Sequence, residues 1–336
     1  MKSAVKQKVV VVPSVPFRKL LDEYRSNLKA MNRSPRTIFW YLEILERYFA
    51  FLKASPLLKP IEQLGTHELI SYILHLQNTD RWPNRPNIEK KTGKLSPYSV
   101  QGQVRAIKAF WSWLQRESHV DDNPLAKFPL PKVPEKPVNV LTIDQINKLL
   151  NLIDRSTHKG LLHYLILLIL LDTGIRVSEL VHLRIDDMDL QHNRLQVLGK
   201  GQKVRSVFIS KLTKNHLTHY LNYCRAQQIC SAPSPYLFST PDGEHISVNS
   251  IQQFLRRLAN RAGLDGIKCS PHIFRHTFAT HAVANGANLF ALRDIMGHAT
   301  LQTTMKYTHL QPHDLQIQHA KFSPVANLDI GKTPKR

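Results

Sequence analysis

Six side chains in the second half of this 336-residue chain share a chemistry: Arg176, Lys200, His272, Arg275, His298 and Tyr307. They are the residue types needed to break a phosphodiester without a metal ion. Two guanidiniums hold the two non-bridging oxygens in forked, charge-assisted bonds and offset the charge of a pentavalent phosphorane. A tyrosine hydroxyl serves as nucleophile, although with an ordinary pKa of about 10 only about one in a thousand is ionised at neutral pH. It needs a base, which a histidine supplies, or a positive field, which the arginines supply. The departing sugar oxygen needs a proton, and a lysine at a hairpin tip delivers one. Singly, each residue has a plainer reading. Arg176 is a helix-start charge, Lys200 a solvated turn lysine, Arg275 an ion-pair partner and Tyr307 a packing tyrosine. A zinc site on His272 and His276 lacks the glutamate of H-E-x-x-H and any nearby third ligand, so no metal and no cofactor are assigned.

Local signals give each residue an element. Apolar residues from His158 to Asp172 make a helix stopped by Gly174, and Arg176 follows on a short helix with Ser178, Glu179, Leu180 and Leu183. Lys200 lies in the turn Gly199-Lys200-Gly201-Gln202, between strands Arg194–Leu198 and Val204–Ile209 that read as a hairpin. Ser270-Pro271 opens a helix that puts His272 and Arg275, three apart, on one face. On one continuous helix, nine residues at about 100° each would turn His298 and Tyr307 to opposite faces. Gly297 ends the preceding helix and Thr300 caps a new one, so a break lets both face one cleft, with Tyr307 on the second helix.

Those elements sit in a strongly basic chain. Lys and Arg number 46 against 25 Asp and Glu, a formal charge of +21 with 42% hydrophobic residues. That balance makes a near-neutral metabolic enzyme the wrong default and a polyanion, above all nucleic acid, the expected partner. Residues 121–138 hold five of the twenty prolines and read as a stiff tether. The charge does not segregate across it: 23 basic and 12 acidic residues precede Asn139, and 23 and 13 follow. Before the tether the pattern is helical throughout: Phe17 to Met31, Arg36 to Lys53 behind Ser34-Pro35, Thr66 to Gln77, and Tyr98 to Glu117 behind Ser96-Pro97. Asn78 to Leu95 reads as a loop, and Trp111 and Trp113 as packing residues. After the tether, Thr142 and Gln145 are spaced as a capping box, and beyond the hairpin come helices over 211–226, 247–262, 271–285 and 288–296 and a last pair over 300–320. Cys224, Cys230 and Cys269 form no disulfide framework or C-x-x-C, and the apolar run Leu161–Leu171 is too short to span a membrane. A cytoplasmic setting is expected.

The segments LDTGIRVSEL (171–180), VLGKGQKVR (197–205), PHIFRHTFATH (271–281) and IMGHATLQTTMKYTHL (295–310) resemble the tyrosine recombinase (lambda-integrase-like) family, particularly its Xer-type and transposon or phage integrase branches. The likeness runs from about Thr142 to Gln318. It implies a mainly α fold with a small antiparallel β-sheet: a helical, SAM-like DNA-clamping domain over 15–120, the linker 121–138, an α+β catalytic domain with a tail helix over 139–322, and a basic tail over 323–336. It further implies that Arg176 and Arg275 clamp the scissile phosphate, Tyr307 attacks to leave a 3′-phosphotyrosyl link, and Lys200 protonates the 5′ oxygen. His272 exchanges a proton with the tyrosine, His298 bonds the phosphate, and Glu179 buttresses Arg176 or His272. His276 and His281 fit the family pattern as packing or supporting residues. The implied partners are double-stranded DNA with a specific core site, three further protomers in a tetramer, and a second recombinase or accessory protein. The tail after Tyr307 docks on a neighbour or folds back on its own domain. The outcome is integration, excision or resolution in a prokaryotic cytoplasm. A type IB topoisomerase-like nicking enzyme and a non-catalytic DNA-binding regulator are the alternatives.

Overall fold

The computed structural model describes residues 16–79, 93–134, 139–199, 203–226, 234–264, 266–267 and 269–307. The chain forms two compact units, Met1–Lys136 and Pro137–Arg336.

In the first unit, α1 (Phe17–Ala30), α2 (Pro35–Ala54), α3 (Thr66–Asn78) and α4 (Pro97–Arg116) are the α-helices among the described residues. Two of them begin as the sequence dictates. Ser34 and Ser96 stand in extended backbone, each followed by proline, and their hydroxyls accept the amides of Thr37 and Ser99 at 3.2 Å. Leu45, Tyr48, Leu52, Ile107, Phe110 and Leu114 close the core, with Trp111 and Trp113 buried in it. Most of the expected loop after Asn78 lies outside the described residues. Residues 121–134 carry no helix or strand but are not a free tether. Leu125 is fully buried, Lys108 on α4 donates to the carbonyls of Ala126 and Phe128, and Gln101 donates to Pro131 O at 2.9 Å. Apolar side chains between the prolines draw this stretch onto α4, a pull that counting prolines overlooks.

The second unit contains α5 (Ile143–Asn151), α6 (His158–Thr173), α7 (Val177–Val181), strands β1 (Met188–Asp189), β2 (Arg194–Leu198) and β3 (Val204–Phe208), then α8 (Lys211–Ala226), α9 (Val248–Arg261), α10 (Pro271–Ala284), α11 (Leu289–Met296) and α12 (Leu301–Met305). Helix α6 is apolar on nearly every face and so runs through the core, packed on α8 and α10. The antiparallel sheet has the order β1-β2-β3, with Leu195 opposite Val207 and Val197 opposite Arg205. Strand β1 is unannounced in the sequence because two residues carry no alternation to read. The expected helix from Arg176 to Leu183 is shorter: Arg176 is its N-cap, in extended backbone, and it ends at Val181. Helix α12 is also brief, and Tyr307 lies in the turn beyond it, not on a helix. Its amide bonds Thr304 O at 3.1 Å, a tight i to i+3 closure that ends the helix.

Candidate active site

Three consecutive carbonyls at the C-terminal end of α11 each receive a guanidinium from a different part of the chain. Arg205 on β3 donates Nε to Ile295 O at 2.7 Å. Arg275 on α10 donates Nη2 to Met296 O at 2.6 Å, and Arg176 donates Nη2 to Gly297 O at 2.9 Å. The last turn of a helix leaves its carbonyls without internal partners and carries partial negative charge, so it is a natural seat for cations that would otherwise repel one another. The turn is set by Gly297 in the left-handed region, φ 63°, where a Cβ would stand 3.0 Å from Cζ of Arg205.

Glu179 ties two of these arginines together. Both its oxygens accept from Arg205, each at 2.8 Å, while Oε1 also takes Arg176 Nη1 and Oε2 the Arg176 amide, again at 2.8 Å. The side chain is 3% exposed. Burial would raise its pKa, but the bonds from Arg205 and Arg176 outweigh that and hold the carboxyl below its usual range. Glu179 thus bonds Arg176 through both its backbone amide and its guanidinium, in the capping geometry of α7.

Arg275 is 5% exposed and also donates Nη1 to Gly174 O at 2.6 Å. Burial, and then the nearby Arg176, lower its pKa to about 10, so it remains charged at neutral pH. Gly174 ends α6 at φ 60°, and a Cβ there would come 2.3 Å from Cδ1 of Phe278 on α10. Close approach of α6 to α10 therefore requires glycine, and that approach carries the Gly174 carbonyl to Arg275.

Tyr307 is 6% exposed, packed with Ala279, Val283, Leu292 and Met296. Burial raises its pKa and the charge of Arg275 pulls the other way. The break after Gly297 brings the His298 and Tyr307 rings to 6.4 Å, nearly parallel at 15°. Nδ1 of His298 pairs with Thr304 Oγ1 at 2.9 Å. Burial, then Arg275, Arg176 and Arg205, lower the His298 pKa to about 4.

The histidine hydrogen-bonded to the tyrosine is His276, whose Nδ1 lies 2.7 Å from Tyr307 Oη, while His272 is exposed one turn earlier on α10. Both lie on one face of α10, but His276 is a full turn nearer the α11–α12 corner. Lys200 lies outside the described residues; its neighbour Gly199 donates its amide to Lys203 O at 2.9 Å. Sequence reasoning missed Arg205 as well. The available signal was strand alternation: opposite Val197 and two before Val207, both buried, an arginine sits on the inward face. Among the described residues no cluster of three metal-ligating side chains forms.

The comparisons with known proteins fit this arrangement. Residues 139–314 match the model of the Phage integrase family, and residues 20–119 that of its N-terminal SAM-like domain. The chain is 30% identical to tyrosine recombinase XerC of Oceanobacillus iheyensis, over 88% of this chain and 92% of that protein. It is 32% identical to tyrosine recombinase XerD of Listeria monocytogenes serovar 1/2a, over 70% and 80% respectively. Among solved structures, the Tn1549 transposon integrase in complex with a circular intermediate DNA is 20% identical, with a TM-score of 0.69 over 90% of this chain and 98% of that one. The XerH site-specific recombinase bound to its palindromic difH substrate is 20% identical, with a TM-score of 0.68 over 89% and 83%.

Proposed function

Since the chain belongs to the phage integrase family, and is a site-specific tyrosine recombinase of the Xer and integrase type that cleaves and rejoins DNA, we propose how its own residues divide that work. Arg176 and Arg275 grip the scissile phosphate of a duplex core site, exchanging their bonds to Gly297 and Met296 for the two non-bridging oxygens. Tyr307 attacks phosphorus and stays joined to the 3′ phosphate, and the free 5′ hydroxyl of a second DNA later reverses the step. Lys200 protonates the departing 5′ oxygen. His298 bonds a phosphate oxygen, and His272, exposed on α10, takes part in acid/base proton transfer. Glu179 holds Arg176 in place. The bond energy is kept in the phosphotyrosyl link, so exchange needs neither ATP nor a divalent metal.

The observation that carries this reading is the convergence of Arg176, Arg205 and Arg275 on the end of α11, with Tyr307 and its two histidines beside them. A net +21 chain supplies the long-range attraction to DNA. The XerH recombinase and the Tn1549 integrase, each solved in complex with DNA, support duplex DNA as the partner. A tetramer, built partly through residues 310–322 and joined by a second recombinase or accessory protein, completes the proposal in a prokaryotic cytoplasm. Among the described residues no helix is long and apolar enough to cross a membrane.

Two plasmids carrying the genomic flanks of the gene decide between recombination and simple nicking and religation. Exchange that requires the flank on both partners supports the reading. Relaxation of a supercoiled plasmid lacking it, without exchange, would replace it by a topoisomerase-like activity. Deleting residues from 310 onward should spare DNA binding and impair exchange; unchanged exchange would remove the role given to 310–322.

A further inference from the structure

We infer that His276 is the base that takes the proton of Tyr307, an assignment that rests on the cleavage reading above and adds a catalytic residue to it. Nδ1 of His276 is 2.7 Å from Tyr307 Oη, within range for direct transfer. Among the described residues His276 is the titratable side chain hydrogen-bonded to Tyr307 Oη. His272 is exposed and not in contact with Tyr307, and His298 lies parallel to the phenol, its Nδ1 engaged by Thr304.

The surroundings keep His276 ready to accept. It is half-buried, and the charged and titratable groups facing it are His272 and Arg275 on its own helix, with His298, Lys306 and Tyr307 from the α11–α12 corner. Burial, followed by His272, Arg275 and Lys306, lowers its pKa, so near neutral pH the ring is an unprotonated base. The phenol then donates to Nδ1, and the ring carries its own proton on Nε2. A phosphate arriving at Arg176 and Arg275 reverses the local balance, because an imidazolium beside a phosphorane dianion is stabilised where one beside bare cations is not.

The step balances as follows. The Tyr307 proton passes to Nδ1 of His276 as the phenolic oxygen uses an electron pair to bond phosphorus. The bond from phosphorus to the 5′ oxygen breaks, its electron pair leaves with that oxygen, and the oxygen takes a proton from the Lys200 ammonium. In religation the 5′ hydroxyl returns its proton to the Lys200 amine, and the His276 imidazolium returns its proton to Tyr307.

The test uses the full chain and a nicked duplex bearing the sequence at which the wild-type chain forms its covalent adduct. Adduct formation is followed from pH 5 to 9 for wild type, His276→Gln, His276→Ala and His272→Gln. Wild type should lose rate on the acid side as His276 protonates. An amide keeps the hydrogen bond but takes no proton, so His276→Gln should cut the rate about 10²–10⁴-fold, abolish the acid limb and leave DNA affinity unchanged. Added imidazole should partly restore His276→Ala, which a misfolded variant would not permit. His272→Gln, at a residue of the proposed catalytic set, should slow the step but keep the limb. The assignment is overturned if His276→Gln cleaves at the wild-type rate with the wild-type profile, if imidazole restores nothing, or if His272→Gln alone removes the limb. Retention of the adduct by Tyr307→Phe is a different failure, because it removes the nucleophile and the cleavage reading with it.

Discussion

Replacing Glu179 by alanine should strip the second unit of a buried charge that serves two arginines at once. Glu179 accepts four bonds of 2.8 Å, two from Arg205 and two from Arg176, and its side chain is 3% exposed. Removing one partner of such a buried network leaves uncompensated charge and costs about 3–5 kcal/mol. With a urea dependence of about 2 kcal/mol per molar, the unfolding midpoint should fall by about 1.5–2.5 M. Glutamine keeps one acceptor oxygen without charge, and charge-assisted bonds are about twice as strong as neutral ones, so Glu179→Gln should lose about half as much. The assay must separate the units. All four tryptophans, Trp40, Trp82, Trp111 and Trp113, belong to the first unit, so their fluorescence reports that unit alone, while far-ultraviolet circular dichroism reports both. The dichroism transition should split or shift and the tryptophan transition should stay in place. Arg205→Ala on the Glu179→Ala background should cost less than on the wild type, since the pair is already broken. A Glu179→Ala midpoint within about 0.3 M of wild type, or equal shifts by both probes, would refute the reasoning.

Other predictions rest on separate features. Gly297→Ala places a Cβ at φ 63° and 3.0 Å from the Arg205 guanidinium, so it should cost about 1–2 kcal/mol in urea unfolding and lower the cleavage rate by displacing Arg205 from Ile295. His163, stacked at 3.7 Å on Phe254, has its pKa lowered to about 4 by burial and then by Lys159 and Arg257. Its neutral form therefore supports the fold above about pH 6.5, and that contribution falls as the pH drops from about 6.5 to 4, where the unfolded chain binds the proton first. In His163→Leu the stability difference between pH 7 and pH 4, read from urea midpoints, should shrink. Affinity for a duplex probe should fall steeply and linearly in log–log form with salt, because each phosphate neutralised releases counterions. A flat dependence in a filter-binding or anisotropy titration would contradict the charge-based attraction.

The helices were legible wherever one signal dominated. Ser34-Pro35, Ser96-Pro97 and the Thr142/Gln145 box mark starts that the structure keeps, and Gly174 and Gly297 mark stops with the left-handed backbone that glycine favours. The break read at Gly297, where a continuous helix would have set His298 and Tyr307 on opposite faces, is present and leaves their rings 6.4 Å apart. What stayed hidden depends on contacts between distant segments. Arg205 reads as one more basic residue until β3 pairs with β2 and turns it inward. The choice between His272 and His276 is a matter of which turn of α10 meets the α11–α12 corner, and helical period places both on the same face. The position of Tyr307 in a turn reflects how early α12 closes, a short-range competition that composition does not resolve.

The central claim is tested most directly by finding the atom that holds the DNA. Full-length chain is incubated with duplex DNA from its genomic flanks, quenched in denaturant, digested with nuclease and trypsin, and read by tandem mass spectrometry. The account predicts a nucleotide joined through its 3′ phosphate to Tyr307, on the peptide that begins after Lys306, with a 5′ hydroxyl on the released strand and no adduct from Tyr307→Phe. A nucleotide on any other residue, a link through a 5′ phosphate, or undiminished adduct from Tyr307→Phe would contradict it.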